Sequence, residues 1–190
     1  MVATVVLLGL LLAATVTDLL RRKIYNWTTY PGILAALGFS AAGSALMATT
    51  EVSRAQLERL GWIEVTESLI GLSAVGAVML LCFVTFKIGG GDVKLIAMLG
   101  AFLGPQRGIE AMLWTFVLGG CVGLIVLIWR VGPVQLVART FRQLLWTLRL
   151  GRWSPLTEDE RAQLQSRLHL APNALAAVLI VQFQLQDLVM

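Results

Sequence analysis

Two aspartates in this sequence stand where a carboxylate is hard to keep. Asp18 ends the apolar run VATVVLLGLLLAATVT, and Asp92 follows Gly89-Gly90-Gly91 at the head of another apolar stretch. A charged side chain deep in a bilayer is unfavourable by about 2.5–3.5 kcal/mol on insertion scales, which makes such residues functional candidates by default. Brought together, two carboxylates share one proton, because like charges at close range resist joint ionisation. One can then act as a general base on water while its protonated partner polarises a carbonyl. That is the chemistry of peptide hydrolysis by an acid pair, with no metal or covalent intermediate.

Each aspartate also has a plainer reading. Asp18 can be an interfacial charge beside Arg21 and Arg22, and Asp92 can be the N-cap of the helix that follows it. The glycines before Asp92 favour the chemical reading. They permit an extended or left-handed backbone, and they remove bulk so that a substrate backbone can approach the carboxylate. Non-helical backbone at membrane depth is tolerated where it lines a cavity. Small residues that pack helices closely are the competing explanation for the glycines. The remaining ionisable groups near apolar runs are Lys87, Lys94, Glu110 and Asp187. The lysines suit snorkelling anchors, although Lys94 is also placed to orient Asp92 or to meet substrate. Glu110 suits a helix N-terminus, and Asp187 lies at an interface near the end of the chain.

The elements that must position these residues follow from composition. Of 190 residues, 57% are hydrophobic and 14% charged, against about 25% charged in a soluble domain. Mean hydropathy is +0.80. This predicts an all-α polytopic membrane protein, a single membrane-embedded domain over 1–190 with about six spans of roughly 20 residues. The apolar segments run over approximately 2–20, 28–49, 67–88, 92–104, 108–130 and 171–190. The fourth has only ~13 residues, or ~20 Å of helix, so it must start within the depth of the membrane. With the N-terminus outside, 12 of the 15 lysines and arginines fall on the cytoplasmic side, and the inverted topology reverses that count. The first segment has no positive charges before it and three after it, which suits an uncleaved helix better than a signal peptide.

Residues 50–66 read as an external amphipathic segment, and 133–168 as a cytoplasmic interfacial one that includes an amphipathic helix over 133–150. The net charge of +4 belongs to this topology rather than to nucleic-acid binding, since no basic patch interleaved with aromatics occurs. Cys82 and Cys121 lie in apolar runs and form no CxxC pair, so they read as small core residues.

Gly89-Gly90-Gly91-Asp92-Val93-Lys94-Leu95 resembles the second catalytic motif of the type IV prepilin peptidases, a family of GxGD membrane aspartyl proteases. Asp18-Leu19-Leu20-Arg21-Arg22-Lys23-Ile24-Tyr25-Asn26-Trp27 resembles their first motif, with Tyr25 where the family usually has proline. Ala171-Pro172-Asn173-Ala174 is similar to the opening of their terminal helix. The resemblance covers most of the chain. It implies Asp18 and Asp92 as the catalytic pair, with Gly89, Gly91 and Lys94 in support, and needs no cofactor or metal. It implies cleavage of the leader from prepilins or pilin-like precursors at the cytoplasmic face of the inner membrane. Larger members carry paired CxxC motifs and methylate the new N-terminus. Those motifs do not occur here, so the chain resembles the short, peptidase-only members. Two readings of other classes stand beside this one: a transporter subunit that binds a proton or cation, and a non-catalytic pilus-assembly protein.

Overall fold

The computed structural model describes residues 2–49, 53–86, 88–132 and 170–183, and all regular structure among them is helical. Helix α1 is Val2–Arg21, α2 Asn26–Thr49, α3 Arg54–Arg59, α4 Val65–Phe86, α5 Gly90–Val131 and α6 Leu170–Gln182. The chain divides into two compact units. One comprises Met1–Phe116 with His169–Met190, and the other Val117–Leu168. The described part of the second unit is the latter portion of α5, where Val117, Val122, Leu124, Ile125 and Trp129 are exposed.

Four helices, α1, α2, α4 and the long α5, are long and apolar enough to cross a membrane, and α6 is a shorter apolar helix. Large apolar side chains such as Leu12, Leu20, Leu34, Leu81 and Val84 point outward, as expected where lipid is the solvent. The inward faces carry small residues instead. On α2 they are Thr28, Thr29, Gly32, Ala36, Ser40 and Gly43, and on α6 Ala171, Ala174 and Ala177 stand one turn apart. Lipid tails are as apolar as leucine, so helices associate by close packing, and small residues let their backbones approach.

The fourth and fifth apolar segments of the sequence reading form the one long helix α5, which is broken at Gly104. That glycine has φ 77° and is followed by Pro105. The break reverses the chain. A Cβ at Gly108 would lie 2.9 Å from the Cα of Gly100, whereas eight residues of straight helix are about 12 Å long. Within the first unit, two antiparallel arms, 90–103 and 105–116, result. Gly71 of α4 sits in the same seam, where a Cβ on either Gly71 or Gly100 would strike the other's carbonyl. Pro105 has no N–H, so Ala101 loses its helical donor. The buried Ser68 hydroxyl replaces it, donating to the Ala101 carbonyl at 2.6 Å.

Opposite ends of the bundle are closed differently. At one, Gly61 with φ 85° reverses the chain after α3, and Trp62 lies buried over Gly43. Its indole N–H donates to the Ser40 carbonyl at 3.0 Å. Leu60 accepts from the N–H of Ala3 at the start of α1, at 3.2 Å. Within the stretch expected to be amphipathic, α3 buries Leu57 and exposes Arg54 and Glu58, which pair at 3.0 Å. The other end gathers residues 18–26, 88–94 and 170–171. The interfacial segment expected over 133–168 lies outside the described residues.

Removing the Ser68 hydroxyl leaves the Ala101 carbonyl buried and unsatisfied. Ser68→Ala should therefore destabilise the protein by about 1 kcal/mol or more. Ser73→Ala, on an exposed face where the hydroxyl bonds only its own helix, should be close to neutral. Unfolding by SDS titration in mixed micelles measures both.

Candidate functional site

Asp18 lies in the last turn of α1, on the face that also buries Leu7, Leu11, Ala14 and Thr15. The helix closes just beyond it. Arg22 adopts the left-handed conformation, φ 52°, and its N–H donates to the Asp18 carbonyl at 2.8 Å. The Asp18 side chain is 8% exposed, and its Oδ2 accepts from the backbone N–H of Ala171 at 3.3 Å. That donor belongs to the first turn of α6, where backbone N–H groups lack helical acceptors and favour an anion. One Asp18 oxygen is thus held by the first turn of α6. One turn earlier, the buried Thr15 hydroxyl has no hydrogen-bond partner among the described residues.

Asp92 is in the first turn of α5. Gly89 occupies the capping position, with its carbonyl accepting from the N–H of Asp92 at 3.0 Å and of Val93 at 3.3 Å. Asp92 is therefore inside the helix and is not its N-cap, which corrects one of the two sequence expectations for it. The glycines also act differently from one expectation. None of Gly89, Gly90 and Gly91 has a positive φ, and the last two are already helical. What they provide is room. A Cβ on Gly89 would lie 2.9 Å from Asp92 Oδ2, and one on Gly91 would lie 3.0 Å from Ile24 Cβ and 3.2 Å from the Ile24 carbonyl. Gly90 has more space, its nearest neighbour being Phe83 Cε2 at 4.0 Å.

The structure brings the two aspartates to the same end of the bundle, where Gly91, next to Asp92, rests on Ile24, six residues after Asp18. Asp92 is partly exposed where Asp18 is buried. Lys94 is brought to the same end, but it turns to α2. Its ammonium donates to Asn26 Oδ1 at 2.9 Å and lies 4.7 Å from the centre of the Tyr30 ring. Tyr25, in the proline position of the first motif, accepts at its carbonyl from the N–H and hydroxyl of Thr28 and so caps α2. Glu110, half-buried, is well along the chain on the second arm of α5. Lys87 and Asp187 lie outside the described residues. Sequence reasoning missed Asn26, Tyr30 and Ala171 as members of this site. Asn26 and Ala171 stood within quoted motifs, but no sequence signal points to Tyr30.

A separate cavity of about 350 Å³ lies at the opposite end, lined by Thr4, Arg54, Glu58, Glu67, Arg107 and Gln182 among others. Neither aspartate borders it. Among the described residues, no group of three or more His, Cys, Asp or Glu side chains has the arrangement of a metal site.

Lipid-facing helices around two neighbouring carboxylates define a multi-pass membrane protein with an acid pair at one end of its bundle. The type IV leader peptidase family matches residues 5–124, which is more than half of the chain and contains both aspartates and the glycine triplet. The chain belongs to that family. No curated protein and no solved structure matches it.

The room at each glycine ranks three substitutions. Gly89→Ala displaces the Asp92 carboxylate and Gly91→Ala pushes the first turn of α5 off Ile24, so each should lower peptidase turnover by about tenfold or more. Gly90→Ala should leave it near wild type. Rates of leader removal at equal membrane levels of protein test the ranking.

Proposed function

We propose that this chain is an aspartyl endopeptidase that removes the leader of type IV prepilins or pilin-like precursors at the cytoplasmic face of the inner cell membrane. The observation that supports the reading is that the ends of α1 and α5 that carry Asp18 and Asp92 come to one end of the bundle, with Gly91 on Ile24 and Gly89 leaving space around the second carboxylate. Membership of the leader peptidase family supplies the substrate class.

In this mechanism a water molecule gives a proton to one carboxylate and attacks the scissile carbonyl carbon. The other carboxyl, carrying a proton, hydrogen-bonds the carbonyl oxygen and stabilises the negative charge that develops there. Collapse of the tetrahedral intermediate breaks the C–N bond, and the leaving amine takes up a proton from the pair. Ala171 supports the arrangement by fixing one oxygen of Asp18. Gly89 and Gly91 support it by admitting substrate and seating the first turn of α5.

The proposed topology has six spans and the N-terminus outside. Two of those spans are the arms of α5, and the last begins at α6. Its support is the distribution of basic residues, which puts Arg21, Arg22, Lys23 and Lys94 at the same end as the acid pair. The substrate's own basic leader would then meet the site from the cytoplasm while its apolar stem stays in the lipid.

Co-expression with a panel of prepilins tests the reading. Wild type should remove the leader, and Asp18→Ala and Asp92→Ala should each slow removal by at least about a hundredfold while remaining in the membrane. Cleavage that survives in the double variant would overturn the acid pair. Loss of proton flux on substitution, with no prepilin processed, would favour transport. Topology is checked separately. A reporter fused at the 22–25 connection should be active in the cytoplasm, and one at the 50–53 connection outside.

A further inference from the structure

Lys94 makes its two polar contacts away from Asp92. Residues two positions apart in a helix are about 200° apart around the axis, so the lysine and the aspartate leave α5 on nearly opposite sides. Gly91 and Lys94, three residues apart, share a face, and that face rests on the first-motif segment. Gly91 touches Ile24, and Lys94 reaches Asn26 and Tyr30. Asn26 and Tyr30 are four apart, so they stack on one side of the first two turns of α2 and present an acceptor and a ring face to the same ammonium. The connection joins residues 68 apart in sequence. Between Asp18 and Asp92 the chain runs through α2, α3 and α4, and nothing local fixes the rotation of α5's first turn relative to α1.

We propose that Asn26 and Tyr30 are positioning residues that grip Lys94 and so set the rotation of α5 that turns Asp92 toward Asp18. This rests on the peptidase reading for its kinetic consequence, but not for its geometric one. The clamp uses the ammonium as a point charge with three donors, one to the amide oxygen and the rest toward the ring and solvent. It therefore needs an acceptor at position 26 and an aromatic face at 30. It does not need the tyrosine hydroxyl, because the ring face is what meets the ammonium.

Two measurements test it. In the first, Asn26→Leu and Lys94→Met should each lower kcat for leader removal about tenfold with KM unchanged, because a small misplacement of the acid pair affects turnover and not binding. The double variant should be no worse than the poorer single one, since both remove the same contact. Tyr30→Phe should keep most activity and Tyr30→Leu should lose it. Additive effects in the double variant, or equal losses from Tyr30→Phe and Tyr30→Leu, would overturn the clamp. The second measurement does not depend on catalysis. Asp18→Cys with Asp92→Cys, in a Cys82→Ser and Cys121→Ser background, should be joined in membranes by a short bifunctional thiol reagent. Asn26→Leu should lower that yield several-fold. An unchanged yield overturns the clamp whether or not the protein cleaves prepilins. A lowered yield in a protein that processes no prepilin supports the clamp and counts against the peptidase reading alone.

Discussion

A bundle surrounded by lipid cannot rely on the hydrophobic effect to draw its helices together, and every buried backbone group must find a partner inside the protein. Both demands are met at the seam between α4 and α5. Gly71, Gly100 and Gly108 let three backbones approach closely, and the reversal at Gly104-Pro105 is possible because φ is positive where no Cβ resists it. Proline then removes a donor from Ala101, and Ser68 returns one. The reversal has a further consequence. It limits the first arm of α5 to residues 90–103, about 20 Å of helix, so Asp92 need not lie at the far edge of a full span.

The acid pair follows from how the helices end at the opposite pole of that seam. Helix α1 stops one turn after Asp18 by turning Arg22 left-handed, and the short connection to α2 brings Ile24 and Asn26 under the start of α5. A buried carboxylate without a donor is strongly disfavoured, and for Asp18 the donor comes from a residue 153 positions away in sequence, Ala171. Three separate chain segments thus converge on two side chains. Pre-organisation of this kind matters because polar groups that are fixed beforehand need no rearrangement as charge develops.

The helices were largely legible in the sequence, and for a simple reason. Apolar runs of about 20 residues punctuated by Arg21-Arg22-Lys23, by Gly89-Gly90-Gly91 and by Gly104-Pro105 have few alternatives to helices that end at those marks. The stretch over 50–66 was legible as amphipathic from its charges among apolar residues, and Leu57 and Trp62 within it are buried. Pairings between helices were not legible. Nothing in the pattern of Lys94 distinguishes an anchor reaching for the membrane surface from a clamp on Asn26, because the difference is made by a neighbour 68 residues away. The glycine triplet was read as important, but partly for the wrong property. Backbone freedom and steric room were both read from it, and room, which depends on Ile24 and on the Asp92 side chain, is what the fold shows at Gly89 and Gly91.

The same arrangement bears on which chemistry the carboxylates can serve. A carrier of protons or cations needs polar groups that continue across the membrane from the acids. Among the described residues, Leu7, Leu11, Ala14, Leu95, Ile96, Met98 and Leu99 form a buried apolar core, and the buried polar side chains Thr28, Thr29, Ser40, Ser68 and Thr115 stand beside it. Thr15 stands within one turn of Asp18 and does not extend a path. The cavity at the other pole has its own charges, Arg54, Glu58, Glu67 and Arg107, and does not border either aspartate. On the proposed reading, carboxylates at one end of the bundle with steric room beside them act on something that arrives at that end. A peptide with its apolar stem in the lipid and its polar leader in water presents its backbone at that depth.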